Sequence, residues 1–320
     1  MKFAYVIRGV LERIGGRQIL RGIGANLLFC PFTAPTFFDN RVPTVCTIYD
    51  LQFASYPQFF EPEDAAFRKS TFLDACKKAT TLVAISNYSR DSAISYGKLS
   101  QNQIETVTLR MAYRFNTIAP STNGILELLG LPPQRYLLYP ANFWKHKNHE
   151  MLLTAFGMAC ANGLPPDIKL VCTGAPNARK DFIQNAAEAF GLANRISFPG
   201  YISNADFSTL LSNAVGLIFP SLYEGFGLPV IEAMAAGVPV ACSNLTSLPE
   251  VGGHAVLFFD PKKPNSVAQA MIELVNDIPM RRHLIANGYQ QAERYSDTER
   301  MVAEYMRVFE KALSVDKTKK

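Results

Sequence analysis

Residues 223–239 read YEGFGLPVIEAMAAGVP, and two acids, Glu224 and Glu232, bracket a Gly-Phe-Gly turn and an apolar run within it. An unpaired carboxylate is costly to bury in so apolar a segment, so each acid needs a role. Ionised carboxylates only accept hydrogen bonds, which suits them to the paired hydroxyls of a sugar or ribose. Glycines let backbone amides approach a ligand closely, and a helix N-terminus favours negative charge such as a diphosphate. One loop of this kind can hold a hexose, a diphosphate and a ribose together. The competing explanation is that both acids lie at a helix N-terminus and stabilise its dipole. The local pattern leaves the two open.

The flanking elements decide where such a loop points. VGLIF at 215–219 reads as a strand that ends at Pro220-Ser221. A helix follows with Pro229 in its first turn, a favoured place for proline. Gly237 ends that helix and a strand at 238–242 comes next. Ligands of open α/β sheets bind beyond the carboxyl ends of the strands. Glu224 is therefore expected on such a loop and Glu232 in the first turn or so of the helix.

The same punctuation runs through the chain. Strands are expected at 26–30, 44–49, 80–85, 104–107, 135–139, 168–173, 196–198, 215–219, 238–242 and 255–258. Most lack in/out alternation, as strands buried on both faces of a parallel sheet do. Helices are expected between them, at 62–79, 148–162, 177–191, 204–213, 229–236, 264–276 and 279–294. Alternating strands and helices give a doubly wound α/β fold. A polar stretch, NTIAPSTNG at 116–124, marks a boundary between two such domains. Gly22-Ile23-Gly24 precedes a strand rather than following one, so it reads as a helix stop and not as a dinucleotide fingerprint.

Composition narrows the class. A chain of 320 residues that is 48% hydrophobic and 18% charged fits two globular domains. Six cysteines are scattered without a CxxC, which argues for reduced thiols in a cytoplasmic protein and against a zinc site. No apolar run is long enough to span a membrane. The formal charge of +5 arises entirely in residues 1–120. No basic run is interleaved with aromatics, so nucleic acid is not an expected partner. Arg13, Arg17 and Arg21 recur every four residues and share one face of a helix. That face suits peripheral contact with an anionic membrane, and equally an ordinary solvated helix.

E-G-F-G-L-P-x-x-E, within FPSLYEGFGLPVIEAMAAGVPV, resembles the E-x7-E signature of retaining glycosyltransferases of family 4, which have the GT-B fold. SNLTSLPEVGGHAVLFFDP at 243–261 is similar to that family's next segment. So are YPANFWKHKNHEMLLTAF at 139–156 and TIYDLQFASYPQFF at 47–60, and the resemblance runs from about residue 26 to 310. It implies two Rossmann-like domains: an acceptor-side domain over 1–118 and a nucleotide-sugar-binding domain over 119–320, its last helix packing back toward the first. It also implies roles. Glu224 holds the donor sugar's hydroxyls and helps stabilise its developing positive charge. The amides of Gly225, Phe226, Gly227 and Leu228 face the sugar and diphosphate, and Glu232 binds the ribose. Lys147 pairs with the departing diphosphate, where charge accumulates. Asn142 and Gly174 are further donor-side positions. Asp50 is a catalytic candidate whose alternative is to fix its own loop. The implied reaction moves a hexose with retention from a nucleotide-sugar donor to a saccharide or lipid-linked acceptor. The FWKHKN context favours mannose from GDP-mannose. No metal or other cofactor is implied, and no DxD motif is present.

The chain departs from the family pattern in three places. Where many members carry an arginine about six residues before the lysine, it has Ala141 or Asn142. Where many have His-Asp it has Tyr49-Asp50, and tyrosine is a poor base near neutral pH. Only 49 residues precede the DLQ segment, so the first βαβ portion of the N-terminal domain is expected to be missing. A complete donor site with slow turnover is the corresponding expectation. The alternative is a catalytically weak fragment that only binds nucleotide sugar.

Overall fold

The computed structural model describes residues 16–111, 113 and 124–315. The chain forms two compact units, one of Met1–Leu109 with Thr298–Lys320 and one of Arg110–Asp297. The division thus falls just before the polar stretch at 116–124, most of which lies outside the described residues.

The first unit contains α1 (Gly16–Gly22), β1 (Leu28–Cys30), β2 (Thr44–Ile48), α2 (Pro62–Lys78), β3 (Thr81–Ala84), α3 (Asn87–Gly97) and β4 (Ile104–Thr106). Its strands pair in parallel in the order β1-β2-β3-β4. Successive residues of a strand face opposite sides, and both sides are used. Cys46, Ile48, Leu82 and Ala84 join Phe72 and Ala75 of α2 in one core. Val45, Val83 and Val107 pack against Val308 and Ala312 of the helix Thr298–Ser314 on the other face. That packing is why a helix distant in sequence belongs to the first unit.

Helix α1 ends at Gly22, and Gly24 has φ of 65°. The glycine pair stops a helix, and no nucleotide fingerprint forms there. Of the three arginines expected on one face, Arg21 has an acidic partner within the fold. Its Nε and Nη2 donate to the two oxygens of Asp39 at 2.7 and 3.1 Å. Asp39 is fully buried and the Arg21 side chain is 44% exposed, so this guanidinium holds the loop before β2 at the protein surface. Bonding to Arg21 and to the Arg41 amide holds the Asp39 carboxyl below its ordinary range. Arg13 and the side chain of Arg17 lie outside the described residues.

The second unit continues with β5 (Tyr136–Pro140), α4 (His149–Ala161), β6 (Lys169–Thr173), α5 (Ala178–Ala189), β7 (Ile196–Gly200), α6 (Asn204–Ser212) and β8 (Gly216–Phe219). It then runs through α7 (Leu228–Ala235), β9 (Val240–Ser243), α8 (Leu248–Gly252), β10 (Val256–Phe259), α9 (Pro264–Asn276) and α10 (Ile278–Glu293). The six strands are parallel in the order β10-β9-β8-β5-β6-β7. The chain winds outward from β5 through β6 to β7, then returns to lay β8 on the other side of β5. The strand order therefore reverses between β5 and β8, the kind of point at which open α/β sheets bind ligands.

Candidate functional site

The loop after β5 closes in a short 3-10 turn, Lys145–Lys147, capped by Asn148 in the left-handed conformation (φ 64°). Asparagine tolerates that conformation better than most residues. Its side chain supplies the tether: Nδ2 donates to the carbonyls of Pro220 (3.1 Å) and Pro261 (2.9 Å). The Leu222 amide in turn donates to the His146 carbonyl at 2.8 Å. The buried Tyr139 hydroxyl donates to the carbonyl of Lys147, and burial pushes that phenol well above its ordinary range. These bonds hold the loops after β5 and β8 side by side.

Lys147 and Glu224 consequently meet, 77 residues apart in sequence. Lys147 Nζ lies 2.6 Å from Glu224 Oε1, and each side chain is 13% exposed. The ammonium also lies 5.4 Å from the centre of the Phe219 ring. A lysine has three donors, so it can keep this carboxylate and still bond an anionic ligand.

The backbone of the glycine-rich turn is fixed from a third loop. Thr246 Oγ1 accepts from the Glu224 amide at 3.1 Å. The buried Ser247 Oγ lies 2.9 Å from the Glu224 carbonyl and 2.8 Å from that of Phe226. Thr246 itself has φ of 59°. A β-branched residue in that region is an outlier whose strain the surroundings must hold. Phe226 points inward, 4% exposed and edge-on to Tyr295 with ring centres 5.6 Å apart. Gly227 caps α7 at φ 118°, and a Cβ there would lie 2.7 Å from Leu248 Cδ2. Leu228 opens the helix, where backbone donors lack an intrahelical carbonyl.

Glu232 lies deeper than expected. It is the fifth residue of α7, a helix with no acid in its first turn, and it is 3% exposed. A buried acid one turn into a helix is poorly placed to complement its dipole, whose effect fades within the first turn. Glu224 precedes the helix and is bound to Lys147. The dipole explanation therefore fails for both acids.

Asn142 and Gly174 form a second junction. Asn142 Oδ1 accepts from the Ala175 amide at 2.9 Å. Gly174 has φ of 154°, and a Cβ there would lie 2.5 Å from the Ala141 carbonyl oxygen. Both residues thus clamp the loop after β6 onto the loop after β5. Asp50 belongs to the first unit, exposed after β2, with its Oδ1 accepting from the Gln52 amide at 3.1 Å. That bond fixes its loop.

Asn148, Tyr139, Thr246 and Ser247 had no assigned role in the sequence, although polar Asn-Leu-Thr-Ser between two apolar strands is unusual enough to draw notice. Asn148→Ala is expected to lower stability by about 1–3 kcal/mol through two lost bonds, and to release the loop that carries Lys147. Thermal unfolding and the fluorescence of the single tryptophan, Trp144, read both effects. Unchanged stability with unchanged fluorescence would show that the tether does not hold this loop.

Two histidines flank the lysine. Burial, with the nearby Lys147 charge adding to it, pushes His146 down to about 3. His149 lies between the rings of Tyr139 and Phe143, centres 4.9 and 4.6 Å away, and is 1% exposed. Burial first, then Arg179 and Lys147, push it down to about 3 as well. The folded state binds these protons less readily than the unfolded chain, so their stabilisation is full above about pH 6.5 and drains as pH falls toward 3. At pH 5.5 the loss from His149 alone is on the order of 1 kcal/mol. His149→Phe should retain the stacking and narrow the gap in unfolding temperature between pH 7.5 and 5.5. An unchanged gap would show that this ring is not what confers acid sensitivity.

The model of glycosyl transferases group 1 matches residues 129–291, a span that includes Lys147, Asn148, Glu224, Glu232, Thr246 and Ser247. The chain is 28% identical to O-antigen chain mannosyltransferase B of Escherichia coli over 272 residues, covering 83% of this chain and 70% of that one. It is 27% identical to the serotype-specific mannosyltransferase WbdA of Escherichia coli over 223 residues, 69% of this chain and 27% of that protein. It thus spans about a quarter of that relative's length. Among solved structures, sucrose-phosphate synthase from Thermosynechococcus elongatus superposes with a TM-score of 0.75 at 20% identity, covering 93% of this chain and 76% of that one. HepE of Anabaena, solved with UDP and glucose, superposes with a TM-score of 0.70 at 17% identity, covering 85% and 72%.

Proposed function

This chain belongs to the group 1 glycosyl transferases, and from that premise we propose that it moves a hexose, mannose by preference, from a nucleotide-sugar donor to a glycan with retention at the anomeric carbon. The observation that carries this reading is the Lys147–Glu224 pair, 2.6 Å apart at the point where strand order reverses. A cation fixed there meets the negative charge that builds up on a departing diphosphate. The amides of the Gly225–Leu228 turn, at the head of α7, suit the same diphosphate. Glu224 accepts from hydroxyls of the transferred sugar, and Glu232 from those of the ribose. This reading agrees with the resemblance of residues 224–232 to the E-x7-E signature of family 4. Mannose is favoured by the names of two curated relatives, both mannosyltransferases. A nucleoside diphosphate sugar is favoured by HepE, a fold neighbour solved with UDP and glucose.

A panel of GDP-, UDP- and ADP-sugars, with released nucleotide detected by mass, tests the proposal. Release of GDP from GDP-mannose in the presence of a mannoside acceptor is the expected result. Tight nucleotide binding with no release from any donor would leave a binding protein in place of the proposed transferase.

A further inference from the structure

In the first unit, the loops leaving β1 and β2 and one face of α2 enclose a cleft of about 790 Å³. That volume is in the range of small-ligand sites, and the cleft lies at the carboxyl ends of two adjacent parallel strands, where such sheets bind ligands. Its wall combines two chemistries. Phe32, Tyr49 and Phe67 supply aromatic surface and are 68%, 43% and 54% exposed. Single exposed apolar residues are ordinary, whereas several around one concavity mark a binding surface. Asp50, Glu63 and Asp64 supply carboxylates against one guanidinium, Arg68. Arg68 Nε is already engaged by Asp64 at 3.0 Å.

On α2, Glu63, Phe67 and Thr71 recur every four residues, so acid and aromatic stand on one face. An N-terminal helix acid stabilises the dipole, which accounts for Glu63 and Asp64. It does not account for the exposed rings of Phe32 and Phe67.

The formal charge of these four groups is −2, so a phosphate entering the cleft meets like charge at short range. An uncharged sugar meets the opposite conditions. Its hydroxyls donate to carboxylates, which only accept, and its C–H face can rest on an aromatic ring. We propose that this cleft binds an uncharged saccharide and discriminates against a phosphorylated one. Calling that saccharide the acceptor rests on the proposed transferase function; the binding preference does not.

The test compares mannobiose with mannobiose 6′-phosphate by calorimetry on the full chain, with GDP binding measured in the same samples. Wild type should bind the neutral sugar at least tenfold more tightly at low salt, with the gap narrowing as salt screens the repulsion. Glu63→Gln combined with Asp64→Asn should bring the two affinities within about threefold. Phe67→Ala and Phe32→Ala should each weaken mannobiose at least fivefold while GDP binding is retained, which certifies the fold. Equal or tighter binding of the phosphorylated sugar overturns the proposal. So does an unchanged gap in the double variant, or full mannobiose affinity in both phenylalanine variants. Loss of mannobiose binding in wild type with GDP binding intact overturns the cleft alone. Failure of wild type to bind any nucleotide counts only against the donor site.

Discussion

Lys147→Met is expected to lower turnover about 10²–10³-fold, the loss found when one preorganised charge-stabilising donor is removed from a transition state. In the proposed reaction the side chain stands where charge develops; it is held in place by Asn148 and Tyr139 through its backbone, and it is 13% exposed. The substitution also leaves the Glu224 carboxylate without its ammonium in a mostly buried place, at a cost of about 1–3 kcal/mol in stability. A purely structural lysine would show only that second effect. The double variant Lys147→Met/Glu224→Gln separates the two, because it removes both charges together. Stability should recover while turnover stays low. Recovery of turnover along with stability would reduce Lys147 to a counter-ion.

Glu224→Gln and Glu232→Gln should fail in different ways. Glu224 stands on the loop beside Lys147, so in the proposed reaction its charge matters most as positive charge develops on the sugar. Its loss is expected to cut turnover about 100-fold, with donor affinity changed by less than threefold. Glu232 is buried in the second turn of α7. Trading its charged acceptor for an amide should weaken donor binding about tenfold or more, since a charged hydrogen bond contributes about 1.5–3 kcal/mol. Titration of GDP followed by single-turnover kinetics distinguishes them. Equal losses of binding in both variants, with no separate loss of turnover in Glu224→Gln, would contradict this division of roles.

Much of the fold was legible because buried parallel strands announce themselves. GLIF in β8 and TVCTI in β2 are continuously buried, and such runs need no alternation to be recognised. Helix α3 was harder to see, since its buried positions are Ser89 and Ala93 rather than a stripe of large apolar residues. The site was legible only in part. Glu224 and Glu232 stand out as acids in an apolar segment. The link of Glu224 to Lys147 does not, because it depends on β8 pairing with β5 rather than with β7, and no local pattern encodes that choice. The depth of Glu232 depended on the register at which α7 begins, a boundary set by Gly227 and Pro229. Arg21 looked like an unpaired charge because the Asp39 that captures it lies 18 residues away, across β1.

The proposed reaction is transfer of a hexose with retention beside the Lys147–Glu224 pair. Proton NMR of a single reaction mixture tests it most directly, using the donor that the nucleotide-sugar panel selects and a mannoside acceptor. With GDP-α-mannose, the donor anomeric signal should decay as free GDP accumulates. A new anomeric signal of α configuration should grow in equal amount, and Lys147→Met should suppress all three changes together. A product of β configuration, or transfer that proceeds undiminished in Lys147→Met, would contradict the account.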